Sequence, residues 1–290
     1  MNIINLNGGL GNQLFQYSFG LAMKYEFDIE VKFCDKFINP NQIKIQDIFD
    51  INIPIANTND YNKVVGRFFS NDQLRYYFLR LLRKLGINKL KNFEIENYKE
   101  PFRFLPNLEN KFFFGYWQNY NFFFKYLDLI QKNLTIKNYS QITKLLDPFY
   151  DNYSHIVCLH FRFGDYKQKK NIKVYSEIPL NYYHESISIF EKKLPKPLFL
   201  LFSDQLEKVD TSFFKKNVIP SSYILKSSND DFKAMTYCDS FILANSTFSL
   251  WGAYLSKNKN KYVTKPPLWF KDKKIENANK YYPKNWNYLG

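Results

Sequence analysis

From residue 156 onward, short apolar runs alternate with segments of helical periodicity, and this alternation constrains the fold more than any other feature. The runs at 156–161, 198–202, 222–225, 241–244 and 261–264 read as short strands buried on both faces. Between them, 181–193, 229–237 and 247–256 carry apolar residues at helical spacing. Strand–helix–strand repetition calls for a parallel sheet with crossover helices, the α/β class. The first half follows the same logic less regularly. Residues 3–6 read as a strand and Gly8-Gly9-Leu10-Gly11-Asn12-Gln13 as a tight turn, after which Leu14, Tyr17, Leu21 and Tyr25 fall on one helix face. Further strands are expected at 29–33 and 111–116, a helix at 71–84, and an aromatic helix running from Trp117-Gln118-Asn119 to about 132. The segment 40–56 shows no clear pattern.

At 290 residues the chain has the length of two ordinary domains. Its composition turns polar and proline appears at 147–154, which sets the expected boundary between domains 1–150 and 151–290. Pro266-Pro267 ends the alternation, and the tail from about 266 is expected to pack back on the N-terminal domain. The 20% aromatic content accompanies abundant Asn, Lys and Ile, a bias that an A/T-rich genome imposes without functional meaning.

The net charge of +14 favours an anionic partner. Basic residues are scattered and no nucleic-acid motif is present, so nucleic acid is not expected as a partner. Three widely spaced cysteines, Cys34, Cys158 and Cys238, make neither a disulfide framework nor a zinc pattern. The N-terminus opens directly into a strand-like run, and no stretch of eighteen apolar residues occurs, so a cytoplasmic protein is expected. Helix 71–84 mixes Leu74, Phe78, Leu81 and Leu82 with Arg75, Arg80, Arg83 and Lys84. The ordinary reading is a half-buried helix; a peripheral contact with the acidic inner membrane surface stays open beside it.

Three polar clusters follow apolar strands in the second half, where ligands bind in open α/β sheets. The first is His160-Phe161-Arg162-Phe163-Gly164-Asp165-Tyr166. A guanidinium there suits a phosphate, because its planar fork donates two parallel hydrogen bonds and keeps its charge when desolvated. The plain alternative is a surface pair between Arg162 and Asp165. The second cluster, Ser203-Asp204, offers a carboxylate for ribose hydroxyls or a purine edge. The third, Asn245-Ser246-Thr247, opens a helix and reads both as an N-cap and as a phosphate seat. The first-half loop at Gly9 and Gly11 likewise precedes a helix. It is neither a dinucleotide fingerprint, since Leu14 stands where the third glycine belongs, nor a P-loop.

Together these motifs resemble the glycosyltransferase family 11 α-1,2-fucosyltransferases. Residues 8–17 look like that family's opening motif, and Gly115-Tyr116-Trp117-Gln118 is similar to a mid-chain motif. Residues 160–166 resemble its His-x-Arg-Arg-Gly-Asp-Tyr signature, while 202–204 and 245–253 resemble its two C-terminal motifs in the same order. Phe163 replaces the second arginine of the signature, and Leu250 replaces a frequent tryptophan. The resemblance implies a GT-B fold, with two Rossmann-like domains facing across a cleft, an N-terminal acceptor side and a C-terminal GDP-fucose side. It implies transfer of L-fucose from GDP-β-L-fucose to the 2-hydroxyl of a terminal galactose on a glycan acceptor, with inversion. No two aspartates are separated by one residue, so the Asp-x-Asp metal motif is missing, and neither a divalent metal nor another cofactor is expected. On this resemblance Arg162 pairs with the β-phosphate, and His160, Asp204, Asn245, Ser246 and Thr247 contact the donor. Asp165 is a candidate for the general base or for the residue that orients Arg162. Gly9, Gly11, Asn12 and Gln13 face fucose or pyrophosphate, and Trp117 and Gln118 face the acceptor.

Overall fold

A computed structural model describes residues 1–87, 89–97, 109–163, 174–210, 217–272 and 280–290. The chain divides into two compact units, Met1–Thr135 and Ile136–Gly290. In the first, strand β1 (Asn2–Asn5) is buried at every position. It leads into helix α1 (Leu10–Phe27), in which only Asn12 escapes burial between Leu10 and Met23. Strand β2 (Val31–Cys34) follows, then helices α2 (Ile45–Ile48), α3 (Thr58–Val65) and α4 (Asp72–Lys84). Strands β3 (Lys89–Leu90), β4 (Phe93–Ile95) and β5 (Phe112–Phe114) and helix α5 (Leu127–Asn133) complete the unit. The sheet order is β2-β1-β5-β4-β3, parallel except for the β3–β4 pair. The chain leaves β1 toward β2 and later returns on the other side to β5. The strand order therefore reverses between β1 and β5, and a crevice opens beyond their carboxyl ends.

The second unit holds helix α6 (Tyr139–Leu146), β6 (His155–Phe161), α7 (Leu180–Lys193), β7 (Pro197–Ser203) and β8 (Val218–Pro220). After these come α8 (Ser228–Tyr237), β9 (Ser240–Ile242), α9 (Thr247–Leu255), β10 (Tyr262–Thr264) and β11 (Asn287–Tyr288). Its six strands are all parallel, in the order β11-β10-β9-β6-β7-β8. Read from β6 outward this is the doubly wound nucleotide-binding order, and its reversal lies between β6 and β9.

Several expectations need correction. The first unit ends at Thr135, ahead of the expected boundary at 150. Helix α6 is the cause: it packs on α8, where the Thr236 hydroxyl donates to the Tyr139 hydroxyl at 3.4 Å. The polar, proline-bearing stretch at 147–154 is only the surface turn into β6. Of the tail, expected on the N-terminal domain, the described end joins the second sheet through β11, with Trp269 stacked on Tyr281 at 4.2 Å. The strand expected at 222–225 is a turn, because the Ser221 carbonyl accepts from both Ile224 and Leu225; the strand is the preceding β8. The aromatic helix expected from Trp117 is broken into turns before α5, since Phe122 and Phe123 reach back to Phe19 and Phe15 on α1. Arg75, read from the sequence as a polar residue of helix 71–84, is fully buried in the first core.

Candidate active site

At the carboxyl end of β6 the chain emerges beside β9 on one side and β7 on the other. Arg162 turns toward β7 and pairs with Asp204 at 2.8 Å, both side chains about one quarter exposed. The other oxygen of Asp204 accepts the Phe163 N–H at 2.9 Å. The carboxylate expected to read ribose or guanine is thus engaged in fixing the Arg162 loop. Asp165 itself lies outside the described residues. Phe163 packs against the core cluster of β6, β7 and α7, its ring stacked on Phe161 at 6.1 Å. Where the family signature has a second arginine, this chain has an apolar contact.

His160 is buried within the sheet and shares a 2.8 Å hydrogen bond between Nδ1 and the Ser249 hydroxyl of α9. Burial first, then the Arg162 guanidinium, push the imidazole down to about 3, with Asp204 opposing. It is therefore neutral near pH 7 and ties β6 to α9. Asn245 is also buried; its amide donates to the Ser176 carbonyl at 2.8 Å and the Trp269 carbonyl at 3.4 Å, clasping two chain segments. Ser246 caps α9 by accepting the Phe248 N–H at 3.3 Å, and Thr247 begins the helix. Both are half-buried at the end of β9 that adjoins β6. Along its carboxyl edge the second sheet thus offers a guanidinium at the end of β6, turned toward β7, and a helix N-terminus after β9, two elements that favour an anion. Asp231, which the sequence reading missed, lies in the first turn of α8 at the same sheet edge; burial lifts its carboxyl to about 6.

In the first unit, Gly8 adopts φ +75°, and a Cβ there would meet Asn12 Nδ2 at 2.5 Å. Gln13 is fully buried: its amide donates to the Gly8 and Ile43 carbonyls at 2.9 Å and accepts the Ile45 N–H at 3.3 Å. It holds the loop from inside, which corrects the expected contact with fucose or pyrophosphate. Gln16 does the same between the two strand ends, donating to the Gly115 carbonyl at 2.8 Å and accepting the Asn7 N–H at 2.9 Å. Its spacing of three from Gln13 was the overlooked signal. Gly9 caps α1, and Gly11 is buried in its first turn. Asn12 is half-buried and accepts from Gln118 at 2.7 Å, so these two residues share one site. Trp117, expected against the acceptor, is 1% exposed and stacks on Phe19 at 4.5 Å, a core role.

Beside this loop lies a cleft of about 760 Å³. Asn7, Gly8, Gly115 and Tyr116 line it from the ends of β1 and β5, and Tyr76, Arg80, Arg83 and Lys84 line it from one face of α4. Burial raises the Tyr116 phenol, with Arg83 opposing and Glu96, whose carboxylate accepts the Tyr116 N–H at 2.7 Å, reinforcing.

The family described as "Glycosyl transferase family 11" matches residues 1–290. The chain belongs to glycosyltransferase family 11. Family-11 relatives of similar length include an Escherichia coli α-1,2-colitosyltransferase, 26% identical over 98% of this chain and 97% of its own. The Escherichia coli O-antigen biosynthesis glycosyltransferase WbnK is 24% identical over 91% of this chain and 93% of its own. Among solved structures, fucosyltransferase NodZ from Bradyrhizobium matches with a TM-score of 0.50 and 12% identity over 92% of this chain and 96% of that one. A variant of Arabidopsis thaliana FUT1 in complex with GDP matches with a TM-score of 0.50 and 11% identity, covering 96% of this chain and 72% of that one. The GT-B-type α/β fold expected from the motifs is the fold of this family-11 glycosyltransferase.

Proposed function

We propose that this family-11 enzyme is an inverting α-1,2-fucosyltransferase that moves L-fucose from GDP-β-L-fucose to the 2-hydroxyl of a terminal galactose on a glycan. The observation that carries the reading is the Arg162–Asp204 pair at the carboxyl ends of β6 and β7, on the sheet edge that also bears the N-terminus of α9 after β9. In the displacement, the acceptor oxygen forms a bond to fucose C1 as the bond from C1 to the β-phosphate oxygen breaks. The electron pair leaves with GDP, and the acceptor proton passes to a base. Arg162, Ser246, Thr247 and the α9 dipole would neutralise the departing diphosphate, as a metal ion does elsewhere. Asp165 is proposed as the base, and the acceptor as the occupant of the cleft lined by Gly8, Tyr116 and α4. Incubation with GDP-fucose and a panel of β-galactosides such as lactose and lacto-N-biose, with the product linkage determined by NMR, tests the reading. An α-1,2-fucosylated galactoside is expected; a different linkage or no transfer to any member counts against it.

A second reading keeps the linkage and changes the donor. It is favoured by the 26% identity to an α-1,2-colitosyltransferase, because colitose is L-fucose without its 3-hydroxyl. Competition between GDP-fucose and GDP-colitose separates the two readings, the preferred donor having the higher kcat/KM.

A further inference from the structure

Helix α4 has three faces. Arg75, Leu79 and Leu82 point into the core, and Tyr76, Arg80, Arg83 and Lys84 line the cleft together with Leu81 at its border with the third face. The third face is a stripe of Leu74, Tyr77, Leu81 and Leu85 at successive helical spacings, exposed by 38%, 69%, 52% and 62%. Exposed apolar residues also flank the helix in the chain, Phe68 (70%) before it and Ile87 and Leu90 (each 38%) after it. A soluble surface rarely keeps so many large apolar side chains together. The same stretch carries the exposed cations Arg67, Lys89 and Lys91, and the adjoining cleft face carries Arg80, Arg83 and Lys84, while Asp72 is paired with buried Arg75.

We propose that this face of α4 docks on an anionic bilayer surface. Apolar side chains at helical spacing, flanked by Lys and Arg, are the pattern of a helix that lies in the headgroup layer. Charge decides against the other occupants. Two copies meeting through this face would bring its like charges together. The proposal rests on the surface of α4 alone and holds whichever donor the enzyme uses. It would set the neighbouring cleft beside the lipid, where an acceptor carried on a lipid anchor is within reach.

The test is co-sedimentation of the full chain with phosphatidylcholine vesicles and with vesicles containing phosphatidylglycerol, at low and high salt. Binding is expected to the phosphatidylglycerol vesicles only, and to be released by salt. Lys89→Glu/Lys91→Glu should weaken it by more than about five-fold per cation replaced, and Phe68→Ser/Tyr77→Ser/Leu85→Ser should abolish it. None of these residues lines the cleft. Hydrogen exchange on the wild type, in which vesicles slow exchange over 68–87, reads the same face without any substitution. No binding at low salt, equal binding to phosphatidylcholine, or a dimer that the triple variant dissolves would each overturn the proposal.

Discussion

Arg162 and Asp204 come from the ends of neighbouring parallel strands, and their pairing appears only once β6 and β7 are laid side by side. The sequence marked both residues as functional but offered Arg162 a partner nearby in the chain, because local spacing cannot report which strand ends will be adjacent. Gln13 and Trp117 were singled out for ligands and serve the interior for the same reason: polarity and aromaticity are visible in a sequence, whereas side-chain direction is not. If Asp204 aims the guanidinium, Asp204→Asn should lower kcat by about 10²-fold with little change in melting temperature; an unchanged kcat would remove that role. His160 and Asp231 predict a pH signature. His160 falls from its ordinary 6.5 to about 3, and Asp231 rises from 3.8 to about 6. Between about 3 and 6.5 the unfolded chain binds the proton that folded His160 refuses, so this group lowers stability as the pH falls. Between about 4 and 6 folded Asp231 holds a proton that the unfolded chain has lost, so this group lowers stability as the pH rises. The slopes oppose where they overlap. Relative to wild type, His160→Gln should gain stability on acidification from pH 6 to 4 and Asp231→Asn should lose it, as urea unfolding across that range will read.

Among the elements, the strands of the second half were legible because a strand buried on both faces needs an unbroken apolar run, as β6 and β7 have. Strand β8 was misplaced by a few residues, since Val218–Pro220 is short and only half-buried and the apolar content lies just beyond it. Helix α4 was legible as a helix, but its three faces were not. Arg75 fits one turn of the apolar pattern only when its guanidinium is known to lie 4.0 Å over the Tyr61 ring and to donate to the Phe69 carbonyl at 2.7 Å and to Asp72. Those contacts bind the start of α4 to the first core. Arg75→Ala opens a cavity in the first core and leaves the Phe69 carbonyl without its donor, and should cost about 2–5 kcal/mol. Arg75→Met, which refills the space without a charge, should cost much less. Equal losses in chemical denaturation would show that the charge, rather than the packing, holds this end of the helix.

On the scale of the whole molecule, each of the two α/β units carries candidate residues at the carboxyl edge of its sheet: a glycine turn beside β1 in the first, and the Arg162–Asp204 pair with the Ser246 cap in the second. The sequence revealed the class and the ordered motifs, since both are local. It misplaced the division between the units because α6 belongs to the second by packing, through Tyr139 and Thr236, rather than by composition. No helix among the described residues is long and apolar enough to cross a membrane, so the bilayer contact proposed for α4 is one of surface. The net charge of +14 suits both a diphosphate donor and an acidic lipid face. We propose that the Arg162 guanidinium, fixed by Asp204, does the work that a metal ion does in other glycosyltransferases. Initial rates of fucosyl transfer by the wild type and by Arg162→Ala, each with and without excess EDTA, test this most directly. The account predicts an unchanged wild-type rate in EDTA and a loss of about 10²–10³-fold in Arg162→Ala with the fold intact. A wild-type rate abolished by EDTA and restored by manganese would contradict it.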